Sequence, residues 1–227
     1  MAAIVHAANG LLHVDAVQAA GRVPCDIRAL GADLLTLSGH KIGGPKGVGA
    51  LVRVNDGIHF ADPLIRGGGQ ERGLRAGTEN VAGIAAFGAA AAAARQQIAE
   101  EAGHMRALRD RLEAGLKAIA PQAVIFGAAA ERLPNTTLFT AAGMKAETAV
   151  IAFDLEGVAV SSGAACSSGK VQPSHVLAAM GISAPLQHGA VRVSVGWTTT
   201  EADVEMCLGA WRKLATALSK DQRGIAA

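Results

Sequence analysis

The chain has 227 residues, of which 50% are hydrophobic, 18% charged and 3% aromatic, and its formal net charge is +2. That apolar content excludes intrinsic disorder, and three cysteines exclude a disulfide scaffold. Near-neutral charge and scarce aromatics speak against a nucleic-acid module.

No basic segment followed by an apolar one opens the chain, and the apolar run 82–94 is too short for a bilayer. The cysteines lack CxxC spacing, so the expectation is a reducing, cytoplasmic setting, with no zinc site built by this chain alone, no nucleic acid and no membrane.

In chain order, residues 2–9 read as a helix end stopped by Gly10. Short apolar runs at 11–15, 33–37 and 48–54, closed by Gly or Asn, read as strands of a covered α/β sheet. From Thr78, an N-cap candidate, to about Ile119 the pattern is helical, with a break expected near Gly103. Beyond Pro121, strands at 124–126, 136–139, 158–160 and 191–195 alternate with helices near 147–156, 174–180 and 200–218. This predicts a large domain over 1–119 and a smaller α+β domain over 120–227.

Polar residues cluster where the first strands end. Asp15 and Gln18 follow one apolar run; Ser38, His40 and Lys41 follow the next. Ligands of open α/β sheets lie at the carboxyl ends of strands, so these groups converge if the strands are neighbours. Lys41, between a strand and a glycine-rich turn, reads either as a desolvated amine able to attack a carbonyl or as a surface lysine. Asp15 reads either as the partner of a cation such as a protonated pyridine nitrogen or as a helix N-cap.

Two glycine-rich stretches fail the phosphate-loop patterns: Lys46 is followed by Gly47 rather than Ser or Thr, and 67–73 does not give G-x-G-x-x-G. The stretch SSGAACSSG at 161–169 places one thiol, Cys166, among small residues, which suits a thiol that reaches a substrate and then delivers something elsewhere. Cys207 reads as core, and Cys25 receives no role. Arg192, inside an apolar strand, shares a face with Ser194 opposite three valines; it either points to solvent or binds a planar carboxylate. His175 and His188 are too isolated to indicate a metal.

Together these segments resemble the cysteine desulfurases, pyridoxal-phosphate enzymes of the class-V aminotransferase group with the aspartate aminotransferase fold. The resemblance is carried by HVDAVQAAG (13–21), LSGHKIGGPKGVGAL (37–51), GGGQERGLRAGTENV (67–81), SSGAACSSG (161–169), HVLAAMG (175–181) and VRVSVG (191–196). It implies that Lys41 bonds the cofactor aldehyde, Asp15 pairs with the pyridinium nitrogen and Gln18 bonds the ring oxygen. Ser38 and His40 would bind the phosphate, and Thr78 would reach the phosphate of the neighbouring subunit in a homodimer. Arg192 would hold the substrate carboxylate, and Cys166 would accept sulfur from L-cysteine, leaving L-alanine and an enzyme persulfide. Cys166 could also ligate an iron–sulfur cluster transiently, and an iron–sulfur or tRNA-thiolation protein would receive the sulfur.

Members of the family run to nearly twice this length. The expected fold is therefore a truncated one: part of the large-domain sheet plus the C-terminal small domain, without the first strands, the glycine-threonine phosphate loop and the histidine that stacks on the ring. Two further readings stay open, a selenocysteine lyase and a non-catalytic remnant that pairs with a homologue.

Overall fold

The computed structural model describes residues 1–163 and 174–225, with side chains described as far as Lys220. It divides into two compact units, Met1–Glu100 and Glu101–Ala227, and the division falls inside one long helix.

The first unit opens with helix α1 (Ala2–Ala7), which ends where Asn9 takes a positive φ of 55°. Three strands follow: β1 (His13–Asp15), β2 (Leu34–Ser38) and β3 (Gly49–Arg53). They form a sheet in the order β1-β2-β3, with β1 parallel to β2 and β3 antiparallel to it. All three predicted strands are present; β1 and β3 are each two residues shorter than expected, and β2 is shifted by one residue. The pairing aligns Asp15 with Thr36 and Ser38 with Gly49. Only glycine fits at position 49, because a Cβ there would lie 2.5 Å from the Leu37 carbonyl oxygen.

Side chains alternate across a strand. One sheet face therefore carries Val14, Leu35 and Leu37, and the other carries His13, Asp15, Thr36 and Ser38. Leu35 is buried on the apolar side, while His13 and Asp15 on the polar side are exposed.

Helix α2 (Val81–Ile119) is continuous over 39 residues, without the break expected at Gly103. A glycine inside a helix costs about 1 kcal/mol against alanine, which the good helix formers around it absorb. In the first unit its inward stripe is small: Gly83 comes so near Val48 that a Cβ would sit 2.6 Å from its side chain, and Phe87 is buried one turn on. The N-cap is Asn80, not Thr78. Asn80 Oδ1 accepts the backbone N–H of Gly83 at 3.1 Å, satisfying one of the free donors at the helix start.

In the second unit the same helix buries Met105, Leu108, Leu112 and Leu116, spaced three and four apart on one face. Strands β4 (Val124–Ile125) and β5 (Thr136–Thr140) and helix α3 (Ala146–Leu155) come next. The following strand, β6, lies at Ser161–Ser162 rather than 158–160; Val158 and Val160 pack instead against the core. Helix α4 (His175–Ala179) is capped by Ser174, and a further helix, α5 (Ala184–His188), precedes β7 (Val191–Ser194). Helix α6 (Glu201–Ile225) starts at a reciprocal cap in which Thr200 N donates to Asp203 Oδ2 and Asp203 N donates to Thr200 Oγ1.

The second sheet is antiparallel throughout, in the order β4-β5-β7-β6. Its core joins α2, α3 and α6 around Trp211, which is fully buried, meets Phe139 edge-on at 5.2 Å and donates its indole N–H to the Leu116 carbonyl. Cys207 lies in this core, as expected, and burial pushes its thiol up to about 11. A half-buried ion pair ties α2 to the segment ahead of β5. Arg132 donates two hydrogen bonds to Glu113 at 2.8 and 3.0 Å, and Thr137 Oγ1 donates a third. Burial alone would raise the Glu113 carboxyl, but these donors hold it below the usual carboxylate range.

Candidate functional site

The parallel pairing of β1 and β2 brings the two strand-end groups to adjoining positions. Asp15 closes β1. Its Oδ1 accepts the Val17 N–H at 3.0 Å, and Oδ2 makes no hydrogen bond among the described residues. One oxygen thus caps the turn that begins at Ala16, and the other stays available to a donor or cation. Gln18 follows one turn later, exposed, with its backbone carbonyl held by Arg22 at 2.8 Å.

Ser38 ends β2, directly before a single 3-10 turn over Gly39–Lys41. The turn is tied back by the Gly39 N–H donating to the Val48 carbonyl and by Ile42 and Gly44 donating to the Gly39 carbonyl. This clamp fixes the direction in which His40 and Lys41 leave the strand. His40 is exposed and Lys41 half-buried, and the Ser38 hydroxyl and His40 Nδ1 are hydrogen-bonded at 3.1 Å. No described residue forms an ion pair or hydrogen bond with the Lys41 amine.

Thr78 is exposed in the segment leading into α2, and no hydrogen bond among the described residues joins it to the Asp15–Lys41 group. Upstream of it lies a strained turn in which Glu71 and Arg72 both take positive φ, 50° and 56°.

Arg192 belongs to the second unit. Its strand is an inner one, with Arg192 opposite Leu138 on β5 and Ser161 on β6. Val191, Val193 and Val195 are buried, so the alternation read from the sequence holds and Arg192 leaves by the other face. Its Nε is buried without a hydrogen-bond partner among the described residues. A buried guanidinium nitrogen without an acceptor is costly, and a planar carboxylate would satisfy it. Cys166 lies outside the described residues.

One polar pair on the sheet face was not singled out from the sequence: His13 Nε2 and Thr36 Oγ1 are 3.1 Å apart. The signal was present, because His13 stands two residues before Asp15 and strand alternation puts both on one face. No helix among the described residues is long and apolar enough to cross a membrane, and those residues hold no group of three His, Cys, Asp or Glu side chains suited to a metal ion.

Comparison with protein families matches residues 1–207 to the family described as "Aminotransferase class-V". Among curated relatives, a cysteine desulfurase of Gluconacetobacter diazotrophicus is 48% identical over 92% of this chain and 52% of its own length. The cysteine desulfurase NifS of Azotobacter vinelandii is 44% identical over 90% of this chain and 50% of its own. Among solved structures, a NifS-like protein from Rickettsia africae superimposes with a TM-score of 0.85 at 39% identity, covering 93% of this chain and 55% of that one. The chain spans about half the length of the relatives it matches.

Proposed function

Because the chain belongs to the aminotransferase class-V family, we propose that it carries the lysine- and cysteine-bearing half of a pyridoxal-phosphate-dependent cysteine desulfurase. The reaction is the removal of sulfur from L-cysteine, with L-alanine as product. The observation that carries this reading is the β1–β2 pairing, which sets Asp15 beside the strand end bearing Ser38, His40 and Lys41.

The donor set suits pyridoxal phosphate: a carboxylate with a free oxygen for the ring nitrogen, a hydroxyl and an imidazole for the phosphate, and an amine for the aldehyde. When bound, that cofactor supplies a sink for the electrons left when the substrate loses its α-proton. Lys41 would hold the cofactor at its aldehyde, and its free amine would carry the substrate α-proton. Asp15 would keep the ring nitrogen protonated, and Gln18 would orient the ring through its oxygen. Arg192 would fix the substrate carboxylate, a role supported by its buried Nε, which has no partner among the described residues.

Cys166 acts as a thiolate on the substrate sulfur. An S–S bond forms on Cys166, the substrate C–S bond breaks, and its electron pair stays on carbon, which takes a proton to give alanine. The persulfide is then passed to an acceptor protein. On this reading Thr78 serves the phosphate of a second copy in a cytoplasmic homodimer.

The test is to add pyridoxal phosphate to the purified 227-residue chain and follow its visible band, then alanine and sulfide from cysteine. The wild type should show the band and Lys41→Ala should not. Cys166→Ser should keep the band and lose sulfide release. Turnover surviving in Cys166→Ser would favour a selenocysteine lyase, and a wild type without band or turnover would favour a non-catalytic partner.

A further inference from the structure

We infer that His13 is a positioning residue for the cofactor site, acting through Thr36; the inference rests on the reading above that this face receives pyridoxal phosphate. His13 and Asp15 project from the same face of β1, and in the parallel register Asp15 stands opposite Thr36. The imidazole Nε2 reaches diagonally across the strand pair to the Thr36 hydroxyl at 3.1 Å. Thr36 touches both halves of the site. Its carbonyl oxygen accepts the Ala16 N–H at 3.1 Å, immediately after Asp15, and two residues later on the same face comes Ser38, bonded to His40. The His13–Thr36 bond therefore ties the strand end that offers the carboxylate to the strand end that offers the phosphate ligands and the lysine.

The bond is exposed to water. A solvent-facing hydrogen bond adds little to folding, whereas a fixed spacing between two ligand groups acts on binding directly, because ordering them after the ligand arrives costs affinity. A merely structural role and a positioning role thus separate in two measurements. His13→Phe removes the bond and keeps the ring's bulk, Thr36→Val removes it from the other side, and His13→Gln keeps a side chain able to bond the hydroxyl.

The experiment titrates each variant of the full chain with pyridoxal phosphate, reading the dissociation constant from the visible band, beside the melting temperature without cofactor. His13→Phe and Thr36→Val are each expected to weaken binding about tenfold, equal to about 1.4 kcal/mol, with unchanged melting. The double variant should be no weaker than either single one, and His13→Gln should recover most of the affinity. Wild-type affinity in His13→Phe, independent effects of the two substitutions, or a loss matched by a fall in melting temperature would overturn the inference while leaving the cofactor reading intact. A wild type that binds no pyridoxal phosphate would overturn both.

Discussion

The second unit buries Trp211, Phe139, Phe153, Leu112 and Leu116 in a continuous core, whereas the buried apolar residues described in the first unit are Leu35, Phe87 and a few alanines. The first unit also leaves Leu11, Leu51, Leu64 and Val81 at its surface. Yet Asp15, Gln18, Ser38, His40, Lys41 and Thr78, all but two of the residues proposed for the chemistry, are in the first unit. The contrast teaches that the candidate site is held by backbone devices rather than by bulk: a parallel strand pair, a clamped 3-10 turn and a glycine that lets β3 close in. Large side chains do the holding in the second unit, where each buried methylene adds about 0.8 kcal/mol.

The sharpest way to break this contrast is to empty each core in turn. Trp211→Ala should cost about 3–5 kcal/mol in a urea titration, from lost burial, the lost ring contact and the lost indole hydrogen bond. Glu113→Gln should follow at about 3 kcal/mol, because it leaves Arg132 half-buried without its anion. This variant also carries a pH signature. The Glu113 carboxyl titrates lower folded than unfolded, so its contribution is fully present above the unfolded carboxylate value and is lost as pH falls through the folded one. Stability of the wild type should fall through that acidic window, and Glu113→Gln should flatten its share of the fall. Leu35→Ala, the matching change in the first unit, should cost only about 2 kcal/mol, the low end for such truncations. A loss there as large as that of Trp211→Ala would end the distinction.

The smallest effect concerns how the long helix starts. Asn80→Ala should cost about 1 kcal/mol by calorimetric melting and Thr78→Ala within about 0.5 kcal/mol, since only Asn80 caps. A larger loss from Thr78→Ala would restore the reading of Thr78 as the cap.

The same helix shows where sequence reading works and where it stops. Its existence was plain from alanine-rich periodicity, but both Thr78 and Asn80 are good caps, and only the geometry separates them. The strands of the first unit were legible as short apolar runs closed by Gly or Asn. Strand β6 was not, because Ser161 and Ser162 join the sheet through backbone pairing with β7 and carry no apolar signal, while Val158 and Val160, which do, serve the core from outside the sheet. Helix α5 escaped because a single turn starting at Ala184-Pro185 is too short to display a period. In the candidate site the residue types were readable and their adjacency was conditional on strand order, which no single sequence states. The diagonal from His13 to Thr36 depends further on register, one level beyond order.

That register gives the site a parity. Sliding β1 by one residue along β2 would turn Val14 toward Ser38 and drive the Asp15 carboxylate to the side of Leu35, with no intermediate setting in which the face is merely weakened. Insertions of one residue ahead of β1 and of two are therefore different kinds of change: an odd step inverts the chemistry of the face, and an even step restores its polarity while displacing each group along it.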